Sequence, residues 1–436
     1  MGRATPADGS YSEHVITLEE AQRIVLEACG PLVPVDVELS GALGLVLATD
    51  VRAAEDVPPF TNSAVDGYAV VAADTSGVAA SSPVELDVVG EIAAGAGPPA
   101  DALRTGQAIR IMTGAPMPLG ADAVVMVEDS ERFDNERVRL SARVESGAAV
   151  RSVGGDVRVG EQVFSAGTVV TATVAGVLAS INARTVRAYP AARVGVLSTG
   201  DELVTDGSPL GPGQIRETNL TMLDPLLAAA GCVVTSFGVV PDDERQLESV
   251  LREAAAANDA IVTSGGVSMG DYDIVKAVLG RVAAMQWMQV AIKPAKPFAF
   301  GSITRAPGTA PADADADGSA RRGVPVFGLP GNPVSSLVSF EMFARPALRR
   351  MMGHQRLARP SVVAVADTEL RRRTDGRVHL VRVVADFAPD GRVHVVPVPA
   401  QMSHQLAATA LANALAVLDD GDGIAAGDDV AVLLLQ

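Results

Sequence analysis

Cysteine is almost missing from the 436 residues: only Cys29 and Cys232 occur, far apart and outside any C-x-x-C pair. That excludes a zinc-finger or disulfide framework and suits a reducing, cytoplasmic setting. Histidine is equally sparse, five scattered residues without H-E-x-x-H spacing, so no histidine-built metal motif is expected. No run of about 18 apolar residues exists, which excludes a membrane-spanning helix. Asp8 and Glu13 break the N-terminal segment, which therefore does not read as a signal peptide. Cations are outnumbered, 35 Lys and Arg against 52 Asp and Glu, for a net charge of −17. Broad cationic faces for nucleic acid or anionic lipid are thereby excluded, although one local basic pocket is not. No G-x-x-x-x-G-K-[ST] phosphate loop occurs, and no internal repeat.

What is present suits several globular domains: 48% apolar and 20% charged residues over a length that exceeds one ordinary core. Thr17 and Glu20 have capping-box spacing ahead of an apolar face of Leu18, Ala21, Val25 and Ala28, which predicts a helix stopped by Gly30. From about Asn62 to Val150 the pattern is β, with short strands around Val84–Val88, Ile109–Ile111, Val124–Val127 and Val138–Leu140. A helix is predicted over Ala172–Ile181. From Arg193 strands alternate with helices. Strands are expected at Val194–Leu197, Val233–Val240, Ala260–Thr263, Phe298–Phe300 and Val324–Phe327. Helices are expected at Leu220–Ala230, Asp243–Ala256, Asp273–Leu279 and Pro333–Met352. That alternation implies an α/β domain with a mostly parallel sheet, whose ligands bind at the strands' carboxyl ends. The Ala/Asp/Gly-rich stretch 305–322 reads as a flexible surface loop. After Gly353, strands at Ser361–Ala366, Arg377–Ala385, Val393–Val398, Leu415–Leu418 and Val430–Leu435 predict a small C-terminal barrel or sandwich.

Several runs at strand ends carry chemistry. Thr263-Ser264-Gly265-Gly266-Val267-Ser268 lets backbone N–H groups approach an anion, although an ordinary tight turn has the same look. Ile292-Lys293-Pro294-Ala295-Lys296-Pro297 sets two ammonium groups on a stiff segment, an oxyanion site or simply a solvated surface. In Gly328-Leu329-Pro330-Gly331-Asn332-Pro333-Val334-Ser335 a rigid turn enters a helix, with Ser335 in its first turn. Glu202, Asp242 and Asp273 are carboxylates suited to Mg²⁺ with substrate phosphates; Asp242 is equally well a helix N-cap.

Together the runs resemble the molybdopterin molybdenumtransferase family. The matching motifs are N-S-A-x-D-G-Y (Asn62–Tyr68), R-I-M-T-G-A-P (Arg110–Pro116), S-T-G-D-E-L (Ser198–Leu203) and G-Q-I-R-E-T-N (Gly213–Asn219). The runs Thr263–Ser268, Ile292–Gly301 and Gly328–Ser335 complete the set in family order. Departures are Thr61 for a common Asp, Val65 for Met, Ala295 for a frequent Gly, and a Gln401–Ala412 run without G-S-G-x-L-S-S.

The resemblance implies an α/β multidomain protein: a discontinuous N-terminal linker domain (14–58 with 150–190), a β-rich inserted domain (59–149), a central mostly parallel α/β pterin-binding domain (191–355) and a C-terminal β-barrel (360–436). It implies a homodimer whose cleft is shared between subunits. The implied reaction inserts molybdate into adenylylated molybdopterin with Mg²⁺-dependent release of AMP, downstream of a molybdopterin adenylyltransferase partner. Asp66, Thr113, Asp156, Asp273, Lys293 and Lys296 are then the catalytic residues, and Glu202, Asp242 and Asp273 the metal ligands. Thr199, Gly200, Ser264, Gly265, Gly266 and Ser268 bind substrate, as do Pro330, Gly331, Asn332, Pro333, Ser335 and Ser403, with Arg377 or Arg382 completing the oxyanion pocket. Two other readings compete. One is a molybdopterin adenylyltransferase, against which the extra domains argue; the other is a non-catalytic scaffold paralogue, against which the retained acidic and lysine residues argue.

Overall fold

Thr17 opens the first helix as its spacing predicts. Its Oγ1 accepts the Glu20 amide at 3.2 Å, and the helix runs Leu18–Ala28 with Cys29, rather than Gly30, as its C-cap. Ala21 and Val25 bury completely in the same core as Val196, Phe298 and Phe343. The computed structural model describes residues 15–78, 82–97, 100–134, 136–266, 274–305 and 323–435. Two compact units emerge: Met1–Val35 with Gly44–Ala48 and Arg187–Gln436, and Asp36–Leu43 with Thr49–Val186.

The first unit holds a seven-stranded sheet in the order Val15–Ile16, Ala283–Val290, Pro297–Ile303, Val324–Leu329, Ala260–Ser264, Arg193–Thr199, Val233–Val240. The last four strands are parallel, while Pro297–Ile303 runs antiparallel to both its neighbours. The inner parallel strands, Arg193–Thr199, Ala260–Ser264 and Val324–Leu329, are buried almost throughout because both faces are covered, while the edge strand Val233–Val240 is only partly buried. Val196 and Phe327 point into one core, Leu197 and Val326 into the other. The consequence for function is directional. Thr199, Val240, Ser264 and Leu329 end at one edge of the sheet, and the reversed strand begins there at Pro297.

The predicted Pro333–Met352 helix is continuous but not uniform. Pro333–Ser339 passes through a π-helical turn, Phe340–Ala344, into Arg345–Met351. Pro346 has no N–H to return to the Met342 carbonyl, and Gln22 Nε2 donates to that carbonyl instead at 3.1 Å. Two elements were not expected from the sequence. Ala283–Val290 is a strand that its sequence, rich in Ala, Met and Gln, does not announce. A short helix, Leu406–Thr409, lies where none was expected. The 306–322 portion of the expected loop lies outside the described residues.

The C-terminal strands close on themselves. Val378–Phe387, Val393–Pro397, Ser361–Ala366, Asp429–Leu434 and Ala414–Leu418 pair in that order, and the last pairs back onto the first. The alternative of barrel or sandwich is thus settled as a barrel, filled by Ala366, Val383, Val395 and Val432. Outside the barrel, Ile292 and Lys293 add to the start of its long strand, opposite Val378 and His379.

The second unit carries a six-stranded mixed sheet: Ser130–Arg132, Arg137–Leu140, Val84–Ile92, Gln107–Ile111, Gly67–Val70, Ala123–Met126. Its strands alternate as predicted, with Tyr68, Leu86 and Val125 on one buried face and Ala69, Ile109 and Val124 on the other. The helix Ala172–Ser180 belongs to this unit and is capped by Thr171, whose side chain accepts the Val174 amide.

A buried charge cluster secures the π-helical turn. Glu341, 2% exposed, receives both arms of Arg359 at 2.9 and 2.8 Å, with Arg345 at 3.8 Å. Burial first, and then the Arg359 charge, push Arg345 down to about 10. Burial beside Arg349 and Arg345 pushes His354 down to about 4, so the fold holds that ring neutral. Stability therefore declines as pH falls from the ordinary imidazole range towards that value. Glu341→Ala is expected to destabilise the unit by roughly 3–5 kcal/mol in urea unfolding, because it strands the buried Arg345 and the half-buried Arg359. Glu244→Ala, which breaks an exposed 2.8 Å pair with Arg281, should cost less than about 1 kcal/mol.

Candidate active site

The three strand-end loops of the α/β sheet meet around a cavity of about 880 Å³. Thr199, Gly200 and Glu202 line it from the first loop, Ser264, Gly265 and Gly266 from the second, and Pro330, Gly331, Asn332 and Pro333 from the third. Asp242 joins them from the end of Val233–Val240, Pro297 from the reversed strand, and His404 from the C-terminal barrel.

Glycine is required here for reasons of space. At Gly266, with φ of +67°, an added Cβ would fall 2.1 Å from the Cβ of Val275. At Gly265, with φ of +94°, it would fall 2.9 Å from the Thr199 carbonyl oxygen. A Cβ on Gly331 would come 3.8 Å from the Cα of Gly265, so the second and third loops approach backbone to backbone. Asn219 ties them together. Its Nδ2 donates to the Ser264 hydroxyl and to the Gly331 carbonyl, both at 2.7 Å, while its buried Oδ1 has no partner. Asn219 was not among the expected site residues, although it ends the Gly213–Asn219 motif. Its signal is its place at the first position of the helix Asn219–Ala229, which a strand-end loop feeds.

The carboxylates divide by role. Asp243 is the N-cap of Glu244–Ala257, accepting the Gln246 amide at 2.8 Å, which leaves Asp242 to the cavity. Asp201 accepts the Asp242 amide at 3.0 Å and so braces the two loops. Glu202 lies over Gly200, where a Cβ would stand 2.4 Å from its Oε2. Glu217 also lines the cavity but caps the next helix through the Leu220 amide at 2.7 Å. Among the described residues no three of His, Cys, Asp and Glu gather at metal-binding distance. Asp273 and Ser268 lie outside those residues. Glu202 and Asp242 are the lining carboxylates that could serve a hard cation, which takes carboxylate oxygens together with phosphate and water.

Lys293 and Lys296 are not among the lining residues, although the next residue, Pro297, is. Lys293 is exposed and faces His379 across the strand pair, and Lys296 is half-buried. Between them Ala295 adopts φ of +75°, the left-handed conformation that explains a family preference for glycine there; alanine bears a cost of about 1–2 kcal/mol. Ser335 is buried in the first helical turn, off the cavity wall. The Ser403 carbonyl accepts the Val334 amide at 3.1 Å, and its neighbour His404, which was not expected, reaches the cavity. Arg382 requires correction as an oxyanion ligand. Its guanidinium is 1% exposed and committed to the 400–409 loop, including the Ala400 carbonyl at 2.8 Å and Thr409 Oγ1 at 2.6 Å. Arg377 pairs with Asp375 at 3.0 Å.

In the second unit, Asp66 and Thr113 are brought together and Asp156 is on another loop. Asp66 Oδ1 accepts both the amide and the hydroxyl of Thr113 at 2.7 Å. Those two bonds, chiefly the backbone one, with Arg110 assisting, hold the carboxyl below its ordinary range. Arg110 lies over the Tyr68 ring at 5.1 Å. Asp156 donates its amide to the Val57 carbonyl at 2.9 Å.

Three family models cover the chain in sequence: the MoeA N-terminal region (domain I and II) over residues 16–182, a probable molybdopterin binding domain over 195–350, and the MoeA C-terminal region (domain IV) over 368–435. Molybdopterin molybdenumtransferase 2 of Mycobacterium tuberculosis is 38% identical over 95% of this chain and 98% of its own. The chain belongs to the molybdopterin molybdenumtransferase family. The Haemophilus influenzae molybdopterin molybdenumtransferase is 34% identical over 96% of this chain and 98% of its own length. The crystal structure of the molybdopterin biosynthesis moeA protein from Pyrococcus horikoshii matches with a TM-score of 0.76 at 27% identity, over 97% of this chain and all of that one. These matches agree with the multidomain α/β architecture and the barrel expected for the family.

The Asp66 geometry gives a pH test. Its depressed carboxyl contributes stability that is present above the ordinary aspartate range, near pH 4, and lost as pH falls through the folded midpoint. Thr113→Val removes one of the two bonds, so the Asp66 carboxyl followed by NMR should titrate closer to its ordinary value, while an unmoved midpoint would contradict the assignment.

Proposed function

We propose that this molybdopterin molybdenumtransferase inserts molybdate into adenylylated molybdopterin and releases AMP in a Mg²⁺-dependent reaction, on substrate supplied by a molybdopterin adenylyltransferase in the cytoplasm. The observation that carries this reading is the strand-end cavity, which close-packed backbone loops and the carboxylates Glu202 and Asp242 line together. Backbone N–H groups of such loops suit phosphate oxygens. The same reading divides the chain into four domains, 14–58 with 150–190, 59–149, 191–355 and 360–436.

In this proposal Thr199, Gly200, Ser264, Gly265, Gly266 and Ser268 seat the pterin and phosphate, together with the 330–333 turn. Ser264 Oγ accepts from Asn219, which leaves its own proton for a ligand oxygen. Lys293, Lys296, Ser335 and Ser403 serve the molybdate oxyanion, for which an ammonium is a compact point charge. Asp66, Thr113 and Asp156 act on the cleft from the partner subunit of a homodimer. Glu202, Asp242 and Asp273 would hold Mg²⁺, which when bound acts as a Lewis acid on phosphate oxygens.

Purified protein given Mg²⁺, molybdate and adenylylated molybdopterin should release AMP and restore activity to a cofactor-deficient extract. Absence of AMP with verified substrate would defeat the proposal, and ATP consumption on metal-free molybdopterin would favour the adenylyltransferase reading. Asp242→Ala should lower turnover on the order of a hundredfold while affecting pterin affinity far less; a loss confined to affinity would remove the metal role.

A further inference from the structure

The 400–409 loop joins the barrel to the cavity, and one buried arginine fixes its shape. Arg382 donates to Gln401 Oε1, to the Ala400, Met402 and Gln405 carbonyls and to Thr409 Oγ1, over 2.6–3.3 Å. No carboxylate is among these partners, so loop dipoles alone compensate a guanidinium that is 1% exposed. If the loop moved away, that charge would stay buried without partners, which is strongly unfavourable. The loop is also docked on the α/β domain through the Ser403 carbonyl and the Val334 amide at 3.1 Å.

His404 is the residue this arrangement delivers to the cavity wall. Four lining side chains carry nitrogen: Arg216, Asn219, Asn332 and His404. Arg216 donates to the Ser208 carbonyl at 2.6 Å, and Asn219 spends its Nδ2 on Ser264 and Gly331. The His404 ring has no hydrogen-bond partner among the described residues, and the Asn332 side-chain amide, which caps nothing, has none either. The ring stands in a wall whose other titratable members, Arg216 apart, are the carboxylates Glu202, Glu217 and Asp242. An N–H donor there complements what carboxylates repel.

We propose that His404 donates a hydrogen bond to a tetrahedral oxyanion of the bound substrate, phosphate or molybdate, and that Arg382 is the positioning residue that holds it there. The inference rests on reading the cavity as the substrate site. Arg382 is too buried to replace without disturbing the barrel, so the lock is loosened at Thr409 instead.

The experiment measures the KM for molybdate, the Kd for AMP, kcat and thermal stability of the full chain. The variants are His404→Ala, His404→Gln, Thr409→Val and the His404→Ala/Thr409→Val pair. His404→Ala should weaken one of the two constants by about tenfold, the worth of one charge-assisted hydrogen bond, with a smaller change in kcat. The arm that moves identifies the oxyanion. His404→Gln, which keeps an N–H donor, should recover part of the loss. Thr409→Val should shift the same constant by about threefold in the native background and not at all once His404 is alanine. Unchanged constants in an active, folded His404→Ala protein would overturn the role of His404. A Thr409→Val effect that persists in full in the double variant would overturn the positioning role of Arg382. A wild-type protein that neither turns over nor binds AMP would overturn the reading of the site, and this inference with it.

Discussion

The amide of Asn219 donates hydrogen bonds to both the Ser264 hydroxyl and the Gly331 carbonyl, and the cavity's shape depends on that pair of bonds. The second and third glycine loops leave parallel strands that are neighbours in the sheet. Beyond the strands, the Gly265 amide still donates to the Leu329 carbonyl at 3.2 Å, and the Asn219 side chain adds the tie further along the loops. Glycine permits the approach and asparagine fixes it. Because the backbone groups that face the cavity belong to these loops, their spacing passes directly to whatever ligand they hold.

Much of this arrangement was legible from residue order. The strand Val233–Val240 was predicted at its observed bounds, and the glycine-rich turns announced the carboxyl edge. Ala283–Val290 escaped because Ala, Met and Gln are helix formers, and the segment is a strand by virtue of its antiparallel pairing with Pro297–Ile303. The π-helical turn escaped for a related reason. Pro346 leaves the Met342 carbonyl without its helical partner, and that acceptor is met by Gln22, more than three hundred residues away in sequence.

The site was legible where chemistry and backbone coincide and obscure where position alone decides. Asp242 and Asp243 look alike in sequence, and only the geometry shows that the second caps the helix while the first faces the cavity. Arg382 carries the right charge for an oxyanion ligand, yet its depth in the barrel assigns it to the loop. Ser403 and His404 are adjacent, and their different fates follow from which one turns its carbonyl to Val334. Sequence spacing identifies the loop, but a side chain's direction along it is set by contacts that no local pattern encodes.

Barrel closure has a consequence for the lysine segment. A closed sheet offers no free edge along its circumference, so the Ile292–Lys293 step can join only where the long strand begins, beside Val378 and His379. Successive residues of a strand face opposite ways. Sliding this short pairing by a single residue would therefore turn Lys293 over completely rather than displace it slightly. The junction thus works like the detent of a two-position catch, in which the ammonium group is either on its proper side or on the reverse, with no intermediate setting.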